Sequence, residues 1–537
     1  MEEKKAVLLS LKYLVQRVPH VVGLDAHIDN AVIETLENWL PKERFLILIN
    51  EYQVGQGKKV LFYENPGMIG NLALEAIHKG ERVFITTNSR RQAREIYEML
   101  TQLFGEVGLY IASDSTGEEK VQAFFDNVNE EAKKYKFIIT SPSVTSGISI
   151  DEDIFGFVGG IFNAVTNTPA DALQALGRVR KAQVLHVYVS DQKQSLPTND
   201  REIAAKWTET HQHDRNLLSF EDYLDNRWLD VAKDYTKLSI AVTKNTNYAM
   251  NDFYTSFIKL CRLDGYELGY GDSSPEEVAQ GKLFQSIAKE IEEQEYIESR
   301  VEIPLISDEE KTELKKKPHK TREENCKMDK KEIIDFYRID EDASKEVIEQ
   351  TIIDDKRGKR RTEIKNMEIA LASDNRIQQL RENEIKAGID LLPDKRNFAV
   401  ERELYQKLLA CAGIDLKLNT NITSQFKYGA NDLRETFVPF IQSHYLIIKG
   451  VIPRLPTIDA IKSDPVRTFG TLIKRIGLKQ TKTGRNENNQ YCVDINSLTS
   501  VKTIIIKRGK VSSIASKHTA NGKHAANNIL NTSSSIP

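Results

Sequence analysis

FIITSPSVTSGISI, residues 137–150, joins a short apolar run to a loop of small hydroxyl residues. FIIT (137–140) is rich in β-branched residues and apolar through Phe137, Ile138 and Ile139, as in a strand buried on both faces of a sheet. The residues that follow include Ser141, Thr145, Ser146, Gly147 and Ser149. Their side chains are short, and Gly147 lets backbone approach a ligand closely. In open α/β sheets, loops at the carboxyl ends of strands are where ligands bind.

The neighbouring sequence repeats the pattern. RVFIT (82–86), GLYIA (108–112), FVGGIF (157–162) and VLHVYVS (184–190) read as further strands. Helical periodicity runs from Ser89 to Phe104 and from about Glu118 to Lys134. Another helix starts at Pro169, with Thr168 as its N-cap. Strands alternating with helices over short loops predict a parallel sheet covered on both faces. The expected unit spans 67–195. Before it, residues 1–43 read as the tail of a preceding domain, with a strand in VVGLDA (21–26) between helices at 4–17 and 29–40. FLILINEY (45–52) and KKVLFYE (58–64) flank a Gly-Gln-Gly turn and read as a β-hairpin connector, residues 44–66.

Downstream, 196–300 reads as a helical accessory domain with Trp207, Trp228, Phe253, Phe257 and Leu260 as core candidates. Residues 301–395 are so charged that a solvated helical linker is expected. Residues 396–500 form a helical and winged-helix-like module, followed by a basic, disordered tail at 501–537. Within that module Asp464-Pro465 opens a helix whose apolar stripe is Val466, Phe469, Leu472, Ile473 and Ile476. Arg467, Thr471, Lys474 and Arg475 fall on its other side. LKQTK (478–482) and QYCVDI (490–495) flank a loop bounded by Lys482 and holding Arg485, in the manner of a wing. This arrangement suits DNA, with the helix in the major groove and the wing on phosphates.

Composition narrows the class. The 537 residues are 40% apolar and 28% charged, with a formal net charge of −3, so nucleic-acid contact must come from local basic patches. Cys261, Cys326, Cys411 and Cys492 form no CxxC pair, which argues against a zinc site or disulfide framework and fits a reducing compartment. The amino-terminal MEEKKAVLLSLKYLVQ is too charged for a signal peptide, and no apolar run reaches membrane-spanning length. A cytoplasmic protein without membrane contact is expected.

A second motif lies in QALGRVRK (174–181), where Gln174, Gly177 and Arg178 are spaced i, i+3, i+4. Glycine permits close approach of another surface, and arginine offers a fork for phosphate. In order and distance, TSPSVTSGISI and QALGRVRK resemble motifs V and VI of superfamily 2 nucleic-acid helicases, and VFITTNSRRQA (83–93) is similar to motif IV. LDAHIDNAVIETL (24–36) is similar to the motif III strand that ends the first RecA-like domain. Among such enzymes the likeness is to herpesvirus-type origin-binding helicases and cyanobacterial plasmid replication proteins.

The resemblance implies a RecA-like helicase C-terminal domain. Its motif V would touch the nucleic-acid backbone through Ser141, Thr145 and Ser146, and couple it to the nucleotide through Gly147 and Ser149, with Gly177 of the motif VI-like segment sharing in that coupling. Motif VI would supply an arginine finger, with Gln174 beside it. The finger is Arg178 or Arg180, because the usual position holds Lys181. Thr87 and Ser89 would meet DNA or else cap a helix.

No GxxxxGK[ST] stretch is present in the sequence. VGQGKK (54–59) has neither the spacing nor the hydroxyl, and Asp151, Glu152 and Asp153 read as loop. The chain is therefore expected not to hydrolyse ATP alone. ATP and Mg2+ would bind only if a separate chain supplied the first RecA-like domain, the other partner being DNA, single-stranded or origin duplex. The alternative is a non-enzymatic replication initiator with the RecA-like domain as scaffold.

Overall fold

The computed structural model describes residues 10–22, 30–40, 47–48, 51–141, 148–204, 228–386, 398–418, 426–483 and 490–509. Helix α1 (Asn30–Trp39) precedes an alternation of strands and helices. These are β1 (Lys59–Phe62), α2 (Pro66–His78), β2 (Arg82–Thr87), α3 (Arg90–Phe104) and β3 (Gly108–Ile111), then α4 (Glu119–Asp126) and α5 (Val128–Ala132). β4 (Phe137–Thr140), β5 (Phe155–Phe162), α6 (Pro169–Leu176) and β6 (Val184–Val189) complete the run. Helices α7 (Trp228–Asn251) and α8 (Phe253–Leu263) lead to β7 (Glu267–Tyr270) and the long α9 (Pro275–Glu302).

The seven strands form one sheet in the order β3-β4-β2-β5-β6-β1-β7, and every pairing is parallel. Neighbours are far apart in sequence: Val60 lies opposite both Leu185 and Leu268. Side chains alternate between the faces as a pleat requires. Val83 and Ile85 join Ile69, Ala73 and Phe284 on one side, while Phe84 joins Leu109, Phe124 and Phe257 on the other. The expected α/β sheet covered on both faces is present.

Two boundaries differ from expectation. KKVLF is no hairpin arm, because Lys59–Phe62 pairs in parallel with β6 and β7 inside the main sheet. Half of the other arm, FLILINEY, falls outside the described residues, and the other half is in no strand. The accessory region also contributes to the sheet: β7 forms its edge, and α9 lies across α2 and α3. There a Cβ on Gly67 would come within 1.8 Å of the Gly281 carbonyl oxygen, so the two helices touch backbone to backbone. The helix expected at 118–134 breaks at Asn127 into α4 and α5. Most of the strand expected at 21–26 lies outside the described residues, as do Trp207 and residues 510–537 of the expected tail, whose first residues, 501–507, instead belong to a helix with Val501 and Ile505 buried.

His186 on β6 carries a pH signature. Its ring stacks on Phe157 at 4.7 Å, and its Nδ1 lies 2.8 Å from the Tyr63 hydroxyl. Burial pushes the imidazole down from 6.5 to about 4. A depressed base favours the fold above the unfolded value and costs stability as pH falls, since the unfolded chain then binds the extra proton. The stability loss from His186 should therefore develop between pH 6.5 and about 4. Urea midpoints at pH 7 and 5 should diverge less in His186→Leu than in the parent; equal divergence would remove His186 as a cause.

The described part of the charged region, 301–386, belongs to a packed helical core and is not a solvated linker, while 387–395 lie outside the described residues. It contains α10 (Asp308–Lys316), α11 (Arg322–Tyr337), α12 (Lys345–Asp355), α13 (Lys359–Ala370) and α14 (Asp374–Lys386). The core continues through α15 (Phe398–Cys411) and four short helices, α16 to α19 (Ala430–Thr436, Val438–Ser443, Tyr445–Val451, Ile458–Ser463). It closes with α20 (Pro465–Ile473), the hairpin β8 (Gln480–Lys482) and β9 (Tyr491–Val493), and α21 (Ile495–Lys507). Ile333, Ile364, Met367, Leu404, Phe437, Phe469 and Val501 belong to a single apolar cluster. The charges are absorbed by pairing. Arg361 meets Asp355 at 2.9 Å and Asp329 at 3.0 Å, and Arg300 meets Asp329 at 2.7 Å.

This core also corrects the winged-helix reading. The β8–β9 hairpin is antiparallel as expected, but α20 is an inner helix. Its Phe469 ring meets Tyr428 and Phe437 edge-on at 5.1 and 5.3 Å. Thr468, Gly470, Leu472 and Ile473 are buried as well, so only a narrow outer strip remains for another molecule. The described residues form no separate winged-helix domain.

Candidate functional site

In a parallel sheet all strands begin at one end and finish at the other, and the two motif groups occupy opposite ends. Lys58 immediately precedes β1, Arg180 lies four residues before β6, and Ile150 lies five before β5, so this group is at the amino end. Helix α6 starts as expected, with Thr168 and Asp171 forming a reciprocal capping box. It stops at Leu176, and Gly177 is its C-cap. Arg178 therefore does not continue a helical face with Gln174, as the spacing had implied. A Cβ on Gly177 would meet only backbone oxygens at 3.5 Å, an ordinary contact, so the chain itself does not demand glycine there.

Beyond the cap the backbone pairs with the end of the hydroxyl-rich loop. The Ile150 N–H donates to the Arg178 carbonyl at 2.8 Å, and the Arg180 N–H donates to the Ile150 carbonyl at 2.9 Å. The side chains follow suit. Arg178 Nη1 donates to the Ile148 carbonyl at 3.1 Å, and Arg180 Nε donates to Ser149 Oγ at 3.1 Å. Ser149 in turn donates to Asp151 at 3.0 Å. Arg178 is half-buried, whereas Gln174, Arg180 and Lys181 are exposed. Among the described residues neither Nη nitrogen of Arg180 has a partner. Gly147, Thr145 and Ser146 lie outside the described residues.

Electrostatically this corner is poised for an anion. Burial first, and the charge of Arg180 second, make the Arg178 cation less favourable than in water. Burial, Arg180 and Lys181 likewise lower Lys58, whose ammonium donates to the Arg180 carbonyl at 2.8 Å. An oxyanion placed here would relieve each of those Coulombic costs. The donors suit one side of a nucleotide's phosphates. Among the described residues no three His, Cys, Asp or Glu side chains converge as a metal site.

The carboxyl end is polar but internally satisfied. Thr87 and Ser141 are buried, at 1% and 3% exposure, so neither side chain presents itself to DNA. Thr87 Oγ1 bonds Gln92 at 3.3 Å and accepts from the Ser89 N–H at 3.1 Å. Ser89 caps α3 by accepting from the Gln92 N–H, the capping alternative weighed for it. Sequence reading missed the pair that ties β2 to β5 here. Asn88 Nδ2 donates to the Asn163 carbonyl at 2.5 Å, and the Asn163 N–H returns a bond to Asn88 Oδ1 at 2.9 Å. Two asparagines 75 positions apart gave no local signal.

In the helical core, Arg467, Thr471, Lys474 and Lys482 are exposed and Arg475 is half-buried. The Thr471 hydroxyl is spent on the Arg467 carbonyl at 2.9 Å. Of the residues expected to meet DNA here, Arg467, Lys474 and Lys482 are thus exposed cations, while Arg485 lies outside the described residues. No helix among the described residues is long and apolar enough to cross a membrane.

No family model matches the chain. It is similar to a "Putative helicase/primase complex protein" of African swine fever virus, from a pig isolate of Kenya. The two are 23% identical over 295 residues, covering 53% of this chain and 28% of that protein. The same-named protein of a tick isolate from Malawi is 23% identical over 295 residues, covering 53% and 26%. That of the Badajoz strain is 25% identical over 171 residues, covering 32% and 16%. The chain thus spans about a quarter of the length of the first two relatives.

Proposed function

We propose that this chain carries the second RecA-like half of a superfamily 2 DNA helicase working in a replication complex, with its basic corner completing a nucleotide site built on another RecA-like domain. The observation that carries this reading is the double clamp between Ile150 and the Arg178–Arg180 segment. The loop that leaves β4 at the carboxyl end of the sheet returns to pair with the arginine segment at the amino end. A displacement of the loop by nucleic acid would therefore reach both guanidinium groups. Such a linkage is what coupling of strand movement to phosphoryl transfer requires.

Of the two arginines, Arg180 is the better finger. Arg178 spends an Nη on the Ile148 carbonyl, whereas Arg180 is anchored only through Nε and keeps its outer fork for a phosphate. Arg178 then serves to hold the segment. ATP and Mg2+ would enter with the domain bearing the phosphate-binding loop, and this chain's share is to neutralise charge on the transferring group. The names of the relatives support a replication setting.

DNA contact is assigned to the loop after β4 and to the outer strip of the helical core. Single-stranded DNA binding should weaken with salt. Replacing Arg467, Lys474 and Lys482 together by alanine should lower the log–log salt slope by about 2, at roughly 0.7 per phosphate contact. Fluorescence anisotropy over a salt series reads this directly; an unchanged slope would take the strip out of the interface.

A further inference from the structure

The GQGK turn (55–58), which sequence reading set aside as a false phosphate loop, is built to hold one lysine at the basic corner. Its backbone is pinned. The Gly55 N–H donates to the Asp264 carbonyl at 2.8 Å, and the Lys58 N–H donates to the Gly55 carbonyl at 2.9 Å. A Cβ on Gly55 would stand 2.4 Å from the Tyr266 ring, so only glycine lets the turn seat there. Gly57 takes a left-handed φ of 79°, reversing the chain into β1. One residue on, the Lys59 N–H donates to the Gln183 carbonyl at 2.8 Å, fixing the start of β1 against the segment that leaves Arg180.

We propose that Lys58 is a positioning residue for Arg180, holding the carbonyl of the residue whose N–H is held by Ile150, so that its fork faces an incoming polyphosphate. The inference rests on the reading of Arg180 as the finger. Two geometric facts carry it. The Lys58 ammonium reaches the Arg180 carbonyl at 2.8 Å across 122 residues of sequence. The N–H of the same residue donates to the Ile150 carbonyl at 2.9 Å. A residue held at its N–H alone can swing about that bond, whereas one held at both its N–H and its carbonyl cannot. Burial of the ammonium, and then its nearness to Arg180 and Lys181, lower the proton affinity of Lys58, so its place here carries a desolvation and a Coulombic cost. Lysine is thus an expensive choice if the turn needed only a neutral donor, and an arriving polyphosphate would offset the repulsion.

The test uses the chain assembled with the RecA-like domain that supplies the phosphate-binding loop. Lys58→Met, Lys58→Arg and Arg180→Ala are compared in steady-state ATP hydrolysis. Lys58→Met should lower kcat about tenfold with KM for ATP little changed, since the finger acts in the transition state and not in ground-state binding. Lys58→Arg should restore most of it, and thermal midpoints should be alike in all variants. Arg180→Ala defective with Lys58→Met normal would overturn the role of Lys58 alone. Both normal would instead overturn the assignment of Arg180. A defect in Lys58→Met that Lys58→Arg fails to rescue, with a lowered midpoint, would mean a folding role and also overturn the inference.

Discussion

In the proposed assembly with a second RecA-like domain, Arg180→Ala is expected to cut DNA-stimulated ATP hydrolysis about a thousandfold while leaving the fold and DNA affinity intact. The size follows from what an arginine finger does, which is to neutralise charge that develops on the transferring phosphoryl group, an effect of about 10³ or more in kcat. The sparing of the fold follows from exposure. Arg180 is exposed, and its one side-chain bond goes to the half-buried Ser149. Arg178→Ala should behave differently, because that side chain ties the segment to the Ile148 carbonyl at 3.1 Å. Its removal should lower both turnover and the local protection of the segment against hydrogen exchange. Arg180→Lys tests the fork: a point charge in place of a bidentate donor should recover little. An Arg180→Ala enzyme within threefold of the parent would exclude this residue as the finger.

Arg357→Ala is expected to destabilise the chain by about 3–5 kcal/mol, the cost of stranding a buried charge. Glu292, on α9, has 0% exposure and receives both ends of the Arg357 fork at 2.7 Å. The Arg357 guanidinium also lies 3.9 Å over the Tyr296 ring. To reach this position it adopts a left-handed backbone with φ of 58°, next to Lys356 at 49°, a strained arrangement that neighbours must over-determine. Arg91 on α3 approaches Glu292 at 3.5 Å, so the cluster joins the sheet's covering helix, the long α9 and the helical core. Loss of Arg357 should therefore loosen the attachment of the core to the sheet. Urea unfolding followed by circular dichroism measures it. The double change Glu292→Met with Arg357→Leu should recover most of the loss, since apolar replacements of a buried pair are often neutral. A single-variant cost below about 1 kcal/mol would mean the pair is effectively solvated.

What sequence disclosed depended on range. FIIT forms a strand over the residues read, Thr168 caps α6 as read, and Phe253 and Phe257 are buried. Each rests on a pattern within a few residues. The β1 strand was misread because two apolar runs about a Gly-Gln-Gly turn satisfy the local rule for a hairpin. Its true partners begin 125 and 208 positions downstream, at Val184 and Glu267. The 301–395 region was misread for a related reason. Composition counts charges but not their pairing, and Arg361 reaches Asp329 from 32 positions away.

At the site, spacing located Arg178 and Arg180 but placed Arg178 on a helix that ends at Leu176. Thr87 and Ser141 looked available because hydroxyl residues at strand ends often are. Gln92 and the close packing of the strand ends bury them instead. Lys58 was invisible as a partner of Arg180 because nothing local links the two.

The proposed function gives this chain a finger and DNA contacts at a nucleotide site whose phosphate-binding loop is carried by another domain. The most direct measurement is ATP hydrolysis by the purified 537-residue chain, with and without single-stranded DNA, alongside DNA binding over a salt series. The account predicts no turnover in either condition, together with binding that weakens as salt rises. DNA-stimulated turnover by the chain alone would contradict it, because a complete nucleotide site would then lie within these residues.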